Sequence, residues 1–198
     1  MLALKRLMLA IAVTAAAAPV AAQMGGYDGE MFIKAIREGN GGEALKLLQD
    51  KPILANARNI EGNTALIAAI ENRDSEWTPY LLNKGADPNL PSAQGETPLM
   101  AAARVGFRDA AEWLVGLGAK VNAANRAGET ALIIAVQRRQ VPIVRVLVDA
   151  GADPDRTDSV AGYSARDYAR RDTRNRELLR LIETIKPARR AVAGPVRN

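Results

Sequence analysis

At 198 residues, 48% of them hydrophobic and 25% charged, the chain has the composition of a soluble globular protein of one or two domains. It contains no His and no Cys, which excludes Ser-His-Asp and Cys-His nucleophiles, the usual Zn and Cu ligand sets, and disulfides. The net charge of +5 sits at the two ends: Lys5, Arg6, Lys186, Arg189, Arg190 and Arg197 are six of the 27 bases, which leaves 21 bases against 22 acids for residues 23–185, a net of −1, so the body is not a polycation.

In chain order, residues 1–22 read as a cleaved secretory signal peptide. Lys5 and Arg6 form a basic start, Leu7 to Ala18 an apolar run, and Val20-Ala21-Ala22 a small-residue cleavage site before Gln23. The run is shorter than the roughly 20 residues that span a bilayer, and no Cys follows it to carry a lipid; an uncleaved anchor is the alternative. Cleavage near Ala22 predicts a periplasmic or secreted protein, with 23–27 as a short linker.

Residues 28–60 fit a divergent first unit, with Phe32, Ile33 and Ile36 on one helix and Leu45, Leu47 and Leu48 on the next. Three units follow over 61–93, 94–126 and 127–158. Each opens on the same phrase, Gly62-Asn63-Thr64-Ala65-Leu66, Gly95-Glu96-Thr97-Pro98-Leu99 and Gly128-Glu129-Thr130-Ala131-Leu132, and the interval between successive phrases is constant. The Thr of each phrase predicts an N-cap, and Pro98 suits a first helical turn. Ala69, Ala102 and Ala135 let this first helix approach its neighbours closely.

The second helix of each unit is an apolar run that includes Trp77, Leu81, Trp113, Leu114, Ile143 and Leu147 on one buried stripe, and Pro79 should shorten or kink the first of these runs. Gly85, Gly118 and Gly151 then stand where a left-handed C-cap is needed. Residues 159–185 fit a closing unit: Gly162-Tyr163-Ser164-Ala165 echoes the phrase one position later than the regular interval, and Leu178, Leu181 and Ile182 alternate with Arg174, Arg176 and Arg180. Residues 186–198 are a basic tail of disordered composition. Asp153, Asp155 and Asp158 resemble a metal loop, but the spacing and the missing Gly fail the EF-hand pattern, so no metal or cofactor is expected.

Self-similarity with a period of roughly 33 residues, each unit holding a turn and two short helices, resembles the ankyrin repeat. Thr97-Pro98-Leu99-Met100-Ala101-Ala102 keeps the family's Thr-Pro-Leu-His-x-Ala phrase except for the His, while Thr64-Ala65-Leu66-Ile67 and Thr130-Ala131-Leu132-Ile133 also lose the Pro. Ala86-Asp87-Pro88-Asn89 and Ala152-Asp153-Pro154-Asp155 are similar to its closing phrase. The resemblance implies an all-α solenoid of about five helix-turn-helix units whose ends are degenerate. A monomer is expected.

It also implies a protein partner, held by turn tips and the exposed side of each first helix. Carried over, those positions include Glu61, Asn63, Glu71 and Asn72 in the second unit, Gln94, Glu96 and Arg104 in the third, Arg126 at the junction with the fourth, and Glu129, Gln137 and Arg138 in the fourth. Along them the charge is expected to run from acidic to basic. The predicted function is therefore non-catalytic protein binding, scaffolding or protecting a partner, with no nucleic acid. An envelope-associated structural protein, held at an anionic membrane surface by its basic tail or an uncleaved signal, is the alternative.

Overall fold

The computed structural model describes residues 26–185, so the segment expected as a signal peptide, 1–22, and the basic segment 186–198 lie outside the described residues. The order is α1 (Gly26–Arg37), α2 (Gly41–Asp50), a short 3-10 turn (Pro52–Asn56), α3 (Ala65–Glu71), α4 (Trp77–Asn83), α5 (Pro98–Val105), α6 (Arg108–Gly116), α7 (Ala131–Gln137), α8 (Val141–Asp149), α9 (Ala165–Arg171) and α10 (Arg176–Thr184). The first helix begins at Gly26, inside the stretch expected as a linker. Among the described residues there is no strand, only isolated bridges such as Arg58 with Thr64 and Ala124 with Thr130 at the feet of turns. None of the described helices is long and apolar enough to cross a membrane.

Consecutive helices pair, and the pairs stack into two rows: α1, α3, α5, α7 and α9 touch in sequence, and α4, α6, α8 and α10 do the same behind them. A helix of the first row has neighbours on both flanks and a partner at its back. It is therefore apolar nearly all round: every residue from Ala65 to Ile70, Pro98 to Ala103 and Ala131 to Val136 is buried. Second-row helices bury one stripe, Ala110, Ala111 and Leu114 in α6 and Ile143, Val144 and Leu147 in α8.

After α1, the first-row helices start at hydroxyl caps, three of them the predicted Thr. The Thr64, Thr97 and Thr130 hydroxyls accept from the backbone N–H of Ile67, Met100 and Ile133 at 3.2, 3.3 and 3.3 Å, and Ser164 accepts from Asp167 at 3.2 Å. Ile67, Met100 and Ile133, which stand in place of the family's His, are fully buried. Gly85, Gly118 and Gly151 take left-handed φ of 87°, 82° and 80°, where a side chain would be strained. Pro79 is the third residue of α4, inside the first turn, where its missing N–H costs no helical bond. The helix is shorter than its second-row neighbours, 7 residues against 9 in α6 and α8, and it begins two residues before the proline. Trp77 and Trp113 lie at the margin of the core, stacked edge-on against Phe32, Tyr80 and Phe107, with part of each ring open to a second-row groove.

Two ladders join the units. Asn56 donates to the Gly85 carbonyl and accepts from Asp87 N–H at 2.8 and 2.7 Å; Asn89 and Asn122 repeat this with Gly118 and Lys120, and with Gly151 and Asp153. At the turn tips, Ala93 N–H donates to the Gly62 carbonyl, Arg126 to Gln94 and Ser159 to Ala127 at 3.0, 3.2 and 2.8 Å. The tips thus form a continuous backbone rail along one edge of the first row.

Candidate protein-binding surface

The rail and the first-row helices define one face of the stack. On it, the residue just before each cap and the residue eight places on, near the end of the same helix, form a column, and in two units the pair is in contact. Arg104 donates to Glu96 through Nε and Nη2 at 2.9 and 2.7 Å. In the closing unit the same positions are Tyr163 and Arg171, and the guanidinium lies 4.2 Å from the ring centroid. Asn63 with Glu71 and Glu129 with Gln137 occupy the column in the second and fourth units. No two units carry the same pair at these positions, although Glu96 and Glu129 are alike and so are Arg104 and Arg171, whereas the Thr caps and the Leu and Ala beside them repeat through the three regular units.

Of the predicted residues, Glu61, Glu71, Gln94, Arg126, Gln137 and Arg138 are exposed, and Asn63, Glu96, Arg104 and Glu129 are half-buried on this face. Several are already engaged. Asn72 is exposed, but its amide donates to the Ile36 and Arg37 carbonyls at 3.1 and 3.0 Å, closing the end of α1. Asn63 donates to Glu61 at 3.2 Å, and Glu129 accepts from Asn125 at 2.9 Å. Arg126 and Arg138 have no carboxylate partner among the described residues.

The expected run from acidic to basic is therefore one-sided. Glu61 pairs with Arg37 of the first unit at 3.3 Å, and Glu96 with Arg104, so the early end is close to neutral. Burial pushes the Glu71 carboxyl up, helped by the charge of Glu96 and opposed by Arg37 and Arg104. The late end carries Arg126, Arg138, Arg139, Arg170, Arg171 and Arg174, of which Arg139 is held by Asp172 at 2.6 Å.

Tyr163, Tyr168, Arg171 and Arg174 lie outside the positions that the resemblance carries over, because the closing unit is out of step with the regular interval and its phrase is degenerate. The signal was present in the spacing: Tyr163 and Arg171 repeat the step from Glu96 to Arg104. Tyr163 and Tyr168 meet edge-on with centroids 5.6 Å apart, and the Tyr168 hydroxyl donates to Asp158 at 2.7 Å.

Three carboxyls of the closing unit are held below their ordinary range. For Asp158, burial pushes upward, but the Tyr168 hydroxyl and the N–H groups of Ala161, Val160 and Gly162 outweigh it. For Asp167 the cause is the Ser164 hydroxyl and N–H, and for Asp172 it is Arg139. A carboxyl whose folded pKa is depressed stabilises the fold fully above its unfolded pKa and loses that contribution as pH falls through the folded value. Acidification should therefore loosen α9 and α10 before α3 to α7, where Glu71 shifts in the opposite direction. Hydrogen exchange at pH 7 and about pH 3 is expected to show protection lost first over 158–185; simultaneous loss in all units would contradict it.

The aspartates at 153, 155 and 158 face three different tasks. Asp153 accepts from Asp155 N–H at 3.0 Å, Asp155 pairs with Arg166 at 2.7 Å, and Asp158 holds the turn and Tyr168. Among the described residues no group of three or more His, Cys, Asp or Glu converges on a point that would hold a metal.

A family model described as ankyrin repeats (3 copies) matches residues 32–125 and 92–158, well over half of the chain's 198 residues. No curated protein matches the chain.

Proposed function

The chain belongs to the ankyrin-repeat family, and on that premise we propose that it is a non-catalytic module that binds a protein partner through the face of turn tips and first-row helices, scaffolding or protecting that partner in the periplasm or outside the cell. The observation that carries this reading is the column formed by Asn63 and Glu71, Glu96 and Arg104, Glu129 and Gln137, and Tyr163 and Arg171. The pair changes from unit to unit, even though Glu96 and Glu129 are alike, while the Thr caps, C-cap glycines and Asn ladder stay the same through the three regular units. Stacking needs the constant positions, and the variable ones are free to fit another molecule, as extended solenoid surfaces do. The export half of the reading is supported by Lys5, Arg6, the apolar run from Leu7 to Ala18 and the small residues up to Ala22. A binding role without catalysis is supported by the absence of His and Cys from the chain.

A photo-cross-linking residue placed at Gln94 or Gln137 of the full chain, and at Lys46 or Asp149 on the second row, tests it. Protein adducts from the first pair alone, recovered in the periplasmic or secreted fraction, are the expected result. Adducts from Lys46 and Asp149 alone, or from none of the four, would overturn the assignment of the face.

A further inference from the structure

All 22 Asp and Glu residues of the chain lie between Asp28 and Glu183, within the described residues. Every carboxylate side chain able to neutralise an arginine of the late units is therefore placed. Among the described residues, Arg126, Arg138, Arg171 and Arg174 have no carboxylate within 4.0 Å. The acids nearest to them in sequence are committed elsewhere: Glu129 to Asn125, Asp167 to Ser164, and Asp172 to Arg139 and the Arg174 N–H.

The four arginines are not scattered over a flat surface. Arg171 and Arg174 line a groove between the ends of α7 and α9, with Gln137, Tyr168 and the Arg139–Asp172 ion pair, whose charges cancel, so the groove keeps two uncompensated cations. Arg138 is the C-cap of α7, between the lining residues Gln137 and Arg139 in sequence, and Arg126 is on the tip rail just before that unit. Tyr163 holds the Arg171 guanidinium over its ring, so a ligand that engages this cation meets a group already ordered. Tyr and Arg together are the residue types that most often dominate binding at an interface.

From this, and resting on the proposed function above, we propose that the groove between α7 and α9 is the anchoring end of the binding face, and that its ligand is an extended acidic segment of the partner protein. Carboxylates of that segment meet Arg138, Arg171 and Arg174, and arginine forks accept such groups in bidentate geometry. The chain's own tail is not the occupant, because residues 186–198 carry four bases and no acidic side chain. A groove between helix ends also suits a narrow chain better than a planar lipid surface, so an anionic membrane is the competing outcome.

The test uses the full chain purified after export and a fluorescein-labelled peptide that alternates Glu with Ser, with its Gln counterpart as control. Anisotropy should show the Glu peptide binding at least ~10-fold more tightly than the Gln peptide, and weakening between ~50 and ~300 mM salt. Arg138→Gln with Arg171→Gln should reduce binding of the Glu peptide by at least ~10-fold, whereas Arg73→Gln at the early end should leave it unchanged. Unaltered melting temperatures establish that the variants are folded, and Arg174→Gln serves if the double variant is not. Equal binding of the two peptides, no binding of either, an unaffected double variant, or binding only to vesicles containing phosphatidylglycerol would overturn the proposal. If cross-links at Gln94 and Gln137 persist when the arginines are removed, the binding face stands and only its acidic ligand is lost.

Discussion

Leu99→Ala is expected to destabilise the stack by about 2–5 kcal/mol and to divide its melting into two transitions. Leu99 is 1% exposed at the start of α5, and α5 touches α3, α6 and α7, so it belongs to the central unit and to both junctions beside it. The lost transfer energy of three carbons accounts for the lower part of that range. The cavity term places the result toward the upper part, because the first-row residues nearby are short: Ala69, Ala102 and Ala135 are already fully buried and have no atoms with which to fill a void. In a stack whose units contact only their neighbours, weakening the middle uncouples the ends, and α7 to α10 then melt apart from α1 to α4. Leu117→Ala is the control: at 56% exposure it should change stability by less than about 0.5 kcal/mol. Scanning calorimetry with hydrogen exchange reads both variants. A single transition at the wild-type temperature for Leu99→Ala would mean that Leu99 is not in the stacked core.

The parts of this fold that were legible are those that recur at the repeat interval. Thr64, Thr97 and Thr130 cap their helices because the same hydroxyl stands three residues before the same free N–H in each unit. Gly85, Gly118 and Gly151 take positive φ for the same reason of period. The Asn56, Asn89 and Asn122 ladder has that interval too, and its two bonds per rung could have been read from it. The candidate face was legible only through the family resemblance, because no two units carry the same pair in its column and so the repeat interval does not mark it. Pairings that cross a unit boundary without a period left no trace: Arg37 neutralises Glu61, and Asn72 turns its amide to the carbonyls of Ile36 and Arg37. Both change the surface expected at the early end, and both depend on how far the first unit departs from the others.

The closing unit shows two of these columns changing together, and that gives the second large effect. The Leu66, Leu99 and Leu132 column continues at Arg166, and the Asn ladder continues at Asp155. Among the described residues no further repeat follows to receive a leucine or an asparagine side chain. Instead Arg166 and Asp155 pair at 2.7 Å, and the same guanidinium donates to the Ile182 and Ile185 carbonyls at 3.2 and 3.0 Å, tying α10 across the end of α9. Arg166 is 8% exposed. Asp155 pushes the Arg166 guanidinium pKa up against the cost of burial, so it stays charged. Arg166→Met keeps much of the side-chain volume but takes the side-chain donor from the Ile185 carbonyl and from Asp155, and leaves the Ile182 carbonyl only the long 3.3 Å bond from Ile185 N–H. Asp155 can recover water, because its side chain is 36% exposed, whereas the Ile182 carbonyl is bonded in a buried setting. The expected loss is about 2–3 kcal/mol, confined to the last unit. Hydrogen exchange should rise over α9 and α10 while α3 to α7 stay protected, because a terminal unit contributes one junction rather than two. Asp155→Asn with Arg166→Met should cost little more than Arg166→Met alone, since the pair acts as one cap. Additive losses, or exchange rising equally in every unit, would show that Arg166 supports the stack in some way other than by closing its end.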